Sequence, residues 1–328
     1  MFSAILIAGM ICGHARPALA YLKFGFDLNG RQVTLRWNTM PVRYFVTNQA
    51  VAGVSAADFQ AAAARAFATW QAVPTAATSY VFGGFTANLP GEDDGRSTLG
   101  FLNEPDLDRV LASTNYLVDN ATGALLEADI FFNSAFAWSV AANGDRSRWD
   151  LESIALHEIG HLNGLGHSAI GETEMTNSGR HVLSTGAIMF PIALGPGDIS
   201  GRRLDADDIA GISDLYPDNN FNDDTGSLSG RVTKNGRGVF GAHVVAFDPA
   251  RGDLVANFTL STNGQFSIAG LQPGPHVIRV EPLDDADIES FFDPAEPVDL
   301  NFRTTYYERL VIVPRGGDSG AVQIQVSP

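Results

Sequence analysis

Three histidines and a glutamate stand in one unbroken string, His157-Glu158-Ile159-Gly160-His161-Leu162-Asn163-Gly164-Leu165-Gly166-His167. On a helix, His157 and His161 fall at i and i+4, so both imidazoles leave one face a turn apart. That spacing suits two ligands of one tetrahedral Zn2+ ion. Glu158 follows the first ligand and is placed to act as general base toward a zinc-activated water. Gly164 lets the chain leave the helix through positive φ, where glycine meets no Cβ penalty. His167 then returns from outside the helix as the third ligand. Three protein ligands leave a fourth position for water, the arrangement of a catalytic rather than a structural zinc. From the chain's own frequencies of His, Glu and Gly, the full string arises by chance on the order of 10⁻⁵ times in this length, so accidental surface histidines explain it poorly.

The elements that must hold this string can be read around it. Residues 35–46 carry Trp, Tyr, Phe and Val and read as a strand. Residues 55–73 read as a helix, with Ser55 as N-cap and Asp58 at N3 as an approximate capping box. Its Phe59, Ala63, Phe67 and Trp70 recur at helical spacing and should face the core. Residues 88–108, with Pro90-Gly91-Glu92-Asp93-Asp94-Gly95, read as a surface loop. Residues 114–118 and 124–133 read as strands around the turn 119–123. The histidine helix is expected over 146–162 and another helix over 205–215.

Further residues carry a family likeness. Ala187-Ile188-Met189-Phe190-Pro191 follows the histidines and offers Met189 as a hydrophobic floor beneath the imidazoles, whereas Met175 sits in a polar run. Ser168 directly follows His167. With Arg36-Trp37, Pro41-Val42-Arg43-Tyr44-Phe45-Val46, Ala66-Phe67-Ala68-Thr69-Trp70, Glu127-Ala128-Asp129-Ile130-Phe131-Phe132-Asn133 and residues 204–216, the chain over about 30–217 resembles the matrixin branch of the metzincin zinc peptidases. The resemblance implies an α+β metzincin catalytic domain, a twisted mixed sheet with three main helices. It also implies zinc-dependent endopeptidase activity on protein or peptide substrates, with Met189 in the Met-turn. It makes Ca2+ a second candidate cation, with Asp129 at a matching ligand position. The chain departs from the vertebrate pattern in three ways. No histidine lies between residues 21 and 156, so the His-rich structural zinc site is missing. The Gly- and Asp-rich loop before the histidine helix looks short, and Pro191-Ile192-Ala193 lacks the usual nearby tyrosine. The segment 169–187 is longer than usual and should rim the cleft. A substrate strand is expected to pair with an edge strand within 97–104.

At 328 residues the chain is long enough for two domains. A hydrophobic content of 45% with 18% charged residues suits globular folding. The net charge of −16 argues against nucleic acid or an anionic membrane as partner. Residues 1–20 read as a secretory signal peptide, with an apolar stretch over 4–12 and Ala18-Leu19-Ala20 as cleavage site, too short for membrane insertion. The mature protein is then expected outside the cell. The single cysteine, Cys12, lies inside that segment, and its flanks do not match an inhibitory cysteine-switch propeptide. The expected division is a catalytic domain over 21–217, a polar linker over 218–226 and an all-β sandwich over 227–328. In the last part, Gly230-Arg231-Val232, residues 241–247 and residues 264–274 resemble a carboxypeptidase-regulatory-like domain, which leaves it a role in binding substrate or a surface. The competing reading is a secreted, non-catalytic binding or adhesion protein on an inactive metzincin scaffold.

Overall fold

The structure is a computed structural model, described for residues 23–328 except 29, 30 and 178. Helix α1, Ala56–Gln71, starts as its sequence dictates. The Ser55 hydroxyl accepts the Asp58 backbone N–H at 3.1 Å, and the Asp58 carboxylate closes the capping box on the Ser55 N–H. Its stripe of Phe59, Ala62, Ala63, Ala66, Phe67 and Trp70 is buried. It packs against helix α2, Leu151–Leu162, where the Trp70 indole donates to the Leu156 carbonyl at 2.8 Å.

Helix α2 begins at Leu151, five residues after the expected start at 146, and ends at Leu162 as expected. Asp150 caps it by accepting the Ser153 N–H and hydroxyl at 3.0 and 2.7 Å, and Arg202 holds the same carboxylate through two nitrogens. Residues 145–148 are spent in a turn in which Asp145 accepts from Ser147. All twelve residues of α2 are buried, as in a helix enclosed on every side.

A five-stranded mixed sheet lies beside these helices. Its spatial order is Tyr80–Thr86, Val42–Thr47, Ser97–Leu102, Leu125–Asn133 and Ala112–Val118. The first four strands run parallel and the last is antiparallel. This corrects the expected edge. Ser97–Leu102 is paired on both sides and almost wholly buried, as its apolar Leu99-Gly100-Phe101-Leu102 run requires, so it has no free edge. The antiparallel edge is Ala112–Val118, which lies against α2. Helix α3, Ala206–Leu215, completes this part with Asp205 and Asp208 as its capping box.

The segment 169–187 is not an open loop but an antiparallel hairpin, Gly171–Thr176 with Gly179–Thr185. The polar linker also carries structure. Phe221–Asp224 forms one helical turn, and Phe221 is buried beside Gly270.

Residues 226–326 form two sheets. One contains Gly226–Lys234, Gln265–Leu271 and Asp318–Val326. The other contains Asp253–Phe258, His243–Asp248 and Gly274–Glu281. Alternate residues of both, among them Leu228, Val232, Ile268, Val244, Ile278 and Ile324, meet in one core. This sandwich does not hang free. Ala169, Val182, Phe190 and Ile192 share an apolar cluster with Phe258, Leu283, Phe291 and Phe292. A second cluster joins Ile170 and Ala187 to Val245 and Ala256. Among the described residues no helix is long and apolar enough to cross a membrane. Residues 1–20, read as a signal peptide, lie outside the described residues.

Candidate metal centre and active site

Helix α2 ends in a Schellman motif. The Leu165 N–H donates to the Gly160 carbonyl at 3.1 Å, and the Gly164 N–H donates to the His161 carbonyl at 2.6 Å. Gly164 takes φ +98°, and a Cβ there would stand 2.4 Å from the Leu35 carbonyl oxygen, so glycine is required twice over. Carbonyls at this buried end also find side-chain donors. The Trp37 indole reaches Leu162, the Tyr116 hydroxyl His161 and the Tyr216 hydroxyl Asn163, at 2.7–2.9 Å. The turn thus has one geometry, and it carries His167 back over the helix.

The three imidazoles converge. Nε2 of His157 and His161 are 3.0 Å apart, and Nε2 of His161 and His167 are 3.2 Å apart. Each opposite ring nitrogen is committed to a backbone carbonyl. His157 Nδ1 faces Ile188 O at 2.7 Å, His161 Nδ1 faces Leu165 O at 2.8 Å, and His167 Nδ1 faces Ser290 O at 2.7 Å. A carbonyl only accepts, so each Nδ1 is the protonated nitrogen and each Nε2 presents a lone pair. Three lone pairs aimed at one point repel unless a cation lies between them. Tetrahedral Zn–N bonds would put the nitrogens about 3.4 Å apart, close to the spacing here. Burial also keeps the rings neutral: it presses His157 down to about 3, His167 to about 4 and His161 well below its ordinary value. The donor set fits zinc. Among the described residues this triad is the one grouping of three or more His, Cys, Asp or Glu whose ligand atoms converge.

Glu158 lies on the same helix, fully buried. Its Oε2 accepts from the Thr114 hydroxyl at 2.6 Å, while Oε1 has no partner. Burial raises its carboxyl to about 8, against the lowering effect of the Thr114 bond. A cation at the triad would pull it back down.

Met189 lies under the helix. A Cβ on Gly160 would stand 2.2 Å from the Met189 sulfur, so the absent side chain is what admits the thioether. The backbone around Met189 is pinned by α3. Asp208 accepts the N–H groups of Ile188 and Met189 at 2.9 and 3.1 Å, and the Met189 carbonyl accepts the Ser168 N–H at 2.9 Å. Met175, by contrast, is exposed on the 171–185 hairpin. Beside His157 opens a mainly apolar pocket, lined by Ile154, Ala187, Ile188, Phe190, Ile192 and Leu194 among others.

Asp129 stands apart from the triad. One oxygen accepts the Thr98 N–H at 2.7 Å and the other the Gly91 N–H, while Glu127 accepts the Gly95 N–H at 2.6 Å. These carboxylates fold the 88–96 loop onto the sheet. Asn133 does similar work at the next loop, its amide donating to the carbonyls of Glu104, Leu107 and Val110 at 2.8–3.2 Å.

Three supporting groups were not read from the sequence: Thr114, Asp208 and the Ser290 carbonyl. Thr114 lies in the polar Ser113-Thr114-Asn115 run, whose composition marks an edge strand. Asp208 is an N3 acid of a capping box. Ser290 carries no signal, because its contact depends on docking of the sandwich.

Over residues 36–217 the chain matches the matrixin peptidases, Peptidase_M10. Metalloendoproteinase 5-MMP of Arabidopsis thaliana is 43% identical over 86 residues, 26% of this chain and 19% of the relative. Metalloendoproteinase 2-MMP of the same plant is 37% identical over 119 residues, 35% of this chain and 26% of the relative. The chain thus spans about a fifth to a quarter of the length of these curated relatives. Among solved structures, the Bacillus anthracis TIE protein aligns over 32% of this chain and 16% of its own, with 13% identity and a TM-score of 0.19, a likeness too slight to argue from. The matrixin match takes in the whole histidine string, Met189 and α3, and it covers more than half of the chain: this protein belongs to the matrixin family.

Proposed function

We propose that the chain is a secreted zinc endopeptidase in which His157, His161 and His167 hold the metal and Glu158 is the general base. The observation that carries this is the convergence of three buried Nε2 lone pairs beside a carboxylate whose Oε1 is unpartnered. Bound there, zinc would polarise the scissile carbonyl and acidify the attacking water. Glu158 Oε1 takes a proton from that water and returns it to the leaving amine, so that water and amide become carboxylate and amine. Met189 forms the floor of the site. The substrate lies extended along the Ala112–Val118 strand at the end of the sheet, adding to it as a further strand. The apolar pocket beside His157 receives an aliphatic or aromatic side chain next to the cleaved bond. The division into signal peptide 1–20, catalytic domain 21–217, linker 218–226 and carboxypeptidase-regulatory-like sandwich 227–328 belongs to the same reading.

Glu158→Ala tests it. The variant should bind zinc like the parent and lose peptide cleavage by several orders of magnitude, whereas His161→Ala should lose both. Cleavage of a peptide library, run with and without phenanthroline, reads activity, metal dependence and specificity together. Cleavage unaltered in the Glu158→Ala variant would remove the glutamate from its role.

A further inference from the structure

The geometry points to the C-terminal sandwich as part of the metal centre: the backbone carbonyl of Ser290 is the positioning group for His167. This rests on the zinc reading above and extends it. The other two imidazoles are held from within the matrixin segment, by Ile188 O and Leu165 O. His167 is held by a residue 123 positions away, beyond that segment.

The Ser290 carbonyl is presented rigidly. Ile288–Ser290 is a 3-10 turn closed by Ser290 N–H to Asp287 O, Phe291 N–H to Ile288 O and Phe292 N–H to Ile288 O, each 2.9 Å. Phe291 and Phe292 anchor it in the apolar cluster shared with Ala169 and Phe190, and the Phe291 ring lies edge-on to the His167 imidazole at 6.1 Å. A second polar tie joins the two parts close by. Asp207 of α3 accepts the Ala256 N–H of the sandwich at 2.8 Å and is hydrogen-bonded to Ser168, next to His167. Further out, Thr173 of the hairpin donates its N–H to Asp285 at 2.8 Å, and Arg180 donates to the Asp284 carbonyl at 2.7 Å. The segment 284–292 is therefore a strap fastened on both sides of its contact with the third histidine.

An acceptor on the far nitrogen of a metal-ligating imidazole fixes its tautomer and orientation, and loss of such a partner costs typically 10–100-fold in metal affinity. Without Ser290 O, His167 could turn its ring or present a protonated Nε2. The sandwich then acts on metal affinity, whatever else it binds.

The full-length chain decides this by zinc affinity, measured by competition with a chromophoric chelator. Ser290→Pro removes the Asp287 hydrogen bond and disfavours the turn conformation of Glu289. It should weaken zinc binding about 10–100-fold. Ser290→Ala keeps the carbonyl and should bind zinc as the parent does. Equal affinity in Ser290→Pro and parent would overturn the proposal while leaving the zinc site standing; a parent that binds no zinc would overturn the site itself. Should Ser290→Pro fail to fold, the parent alone gives the reciprocal measurement. If Ser290 O supports zinc binding, zinc must stabilise the turn, so amide exchange at 288–292 should slow on zinc loading, while the Gly226–Lys234 ladder stays unchanged. Exchange at 288–292 that ignores zinc overturns the proposal.

Discussion

Thr114→Val removes the hydroxyl that bonds the proposed base, at Glu158 Oε2 and, more weakly at 3.2 Å, at the Glu158 backbone carbonyl. The threonine hydroxyl donates to Glu158 Oε2 at 2.6 Å, both groups are fully buried, and the replacement keeps the shape of the side chain. A hydrogen bond to a charged group is worth about 1.5–3 kcal/mol. It stabilises the ionised carboxylate more than the neutral acid, so its loss raises the Glu158 pKa, by up to about 1–2 units at 1.36 kcal/mol per unit. Burial holds that pKa up at about 8, and bound zinc would draw it downward, so the acid limb of kcat/KM in the parent falls below about 8. A base must be ionised to act, so activity is lost as pH falls through this limb. In Thr114→Val the limb moves up by up to about 1–2 units. Assayed at the parent's own midpoint pH, the variant should therefore be up to about 5–50-fold slower, while the two converge on the alkaline side. Zinc content is measured in parallel and should not change. A limb that stays in place, or moves down, at equal zinc content refutes the claim that this hydroxyl tunes the base.

Gly164→Ala should cost at least about 1–3 kcal/mol for an alanine at positive φ, and more for its clash with Leu35 O. Zinc affinity should fall with it, because this turn delivers His167; a urea midpoint equal to the parent's argues against that role. Asn133→Asp replaces a donor that faces three carbonyls with an acceptor. It should lower stability by about 2–4 kcal/mol, visible as a lower thermal midpoint. Burial next to Asp207 pushes the Asp208 carboxyl up to about 8. An acid with a raised folded pKa loses stability as pH rises, from its unfolded pKa near 4 through its folded one. Asp208→Asn removes this loss, so in urea melts of zinc-free protein the variant should gain on the parent between about pH 4 and 8. A difference that is flat over that range would show that Asp208 is ionised throughout.

What could be read from the sequence was local. The His157–His167 string, the Ser55–Asp58 box and the hairpin around 119–123 each depend on neighbours a few residues away, and each forms as its residues require. Two misplacements had local signals that were outweighed. Asp150 followed by Ser153 marks the start of α2, five residues into the expected helix. The edge expected within 97–104 is an interior strand, consistent with its uninterrupted apolar Leu99-Gly100-Phe101-Leu102, and the edge is the strand that carries polar Ser113-Thr114-Asn115. The proposed base's partner and the third histidine's partner are a different case. Thr114 and Glu158 are 44 residues apart, and His167 and Ser290 are 123 apart. No periodicity or spacing encodes such pairs; they exist only once the sheet edge meets α2 and the sandwich has docked. The proposed zinc-ligand string therefore points to a chemistry, while the tautomer and ionisation of its members are set by residues that reach it through the tertiary fold. In this chain one of those residues lies outside the matrixin segment altogether. The segment that carries the motif is thus an incomplete description of the site, and the sandwich has to be counted with it.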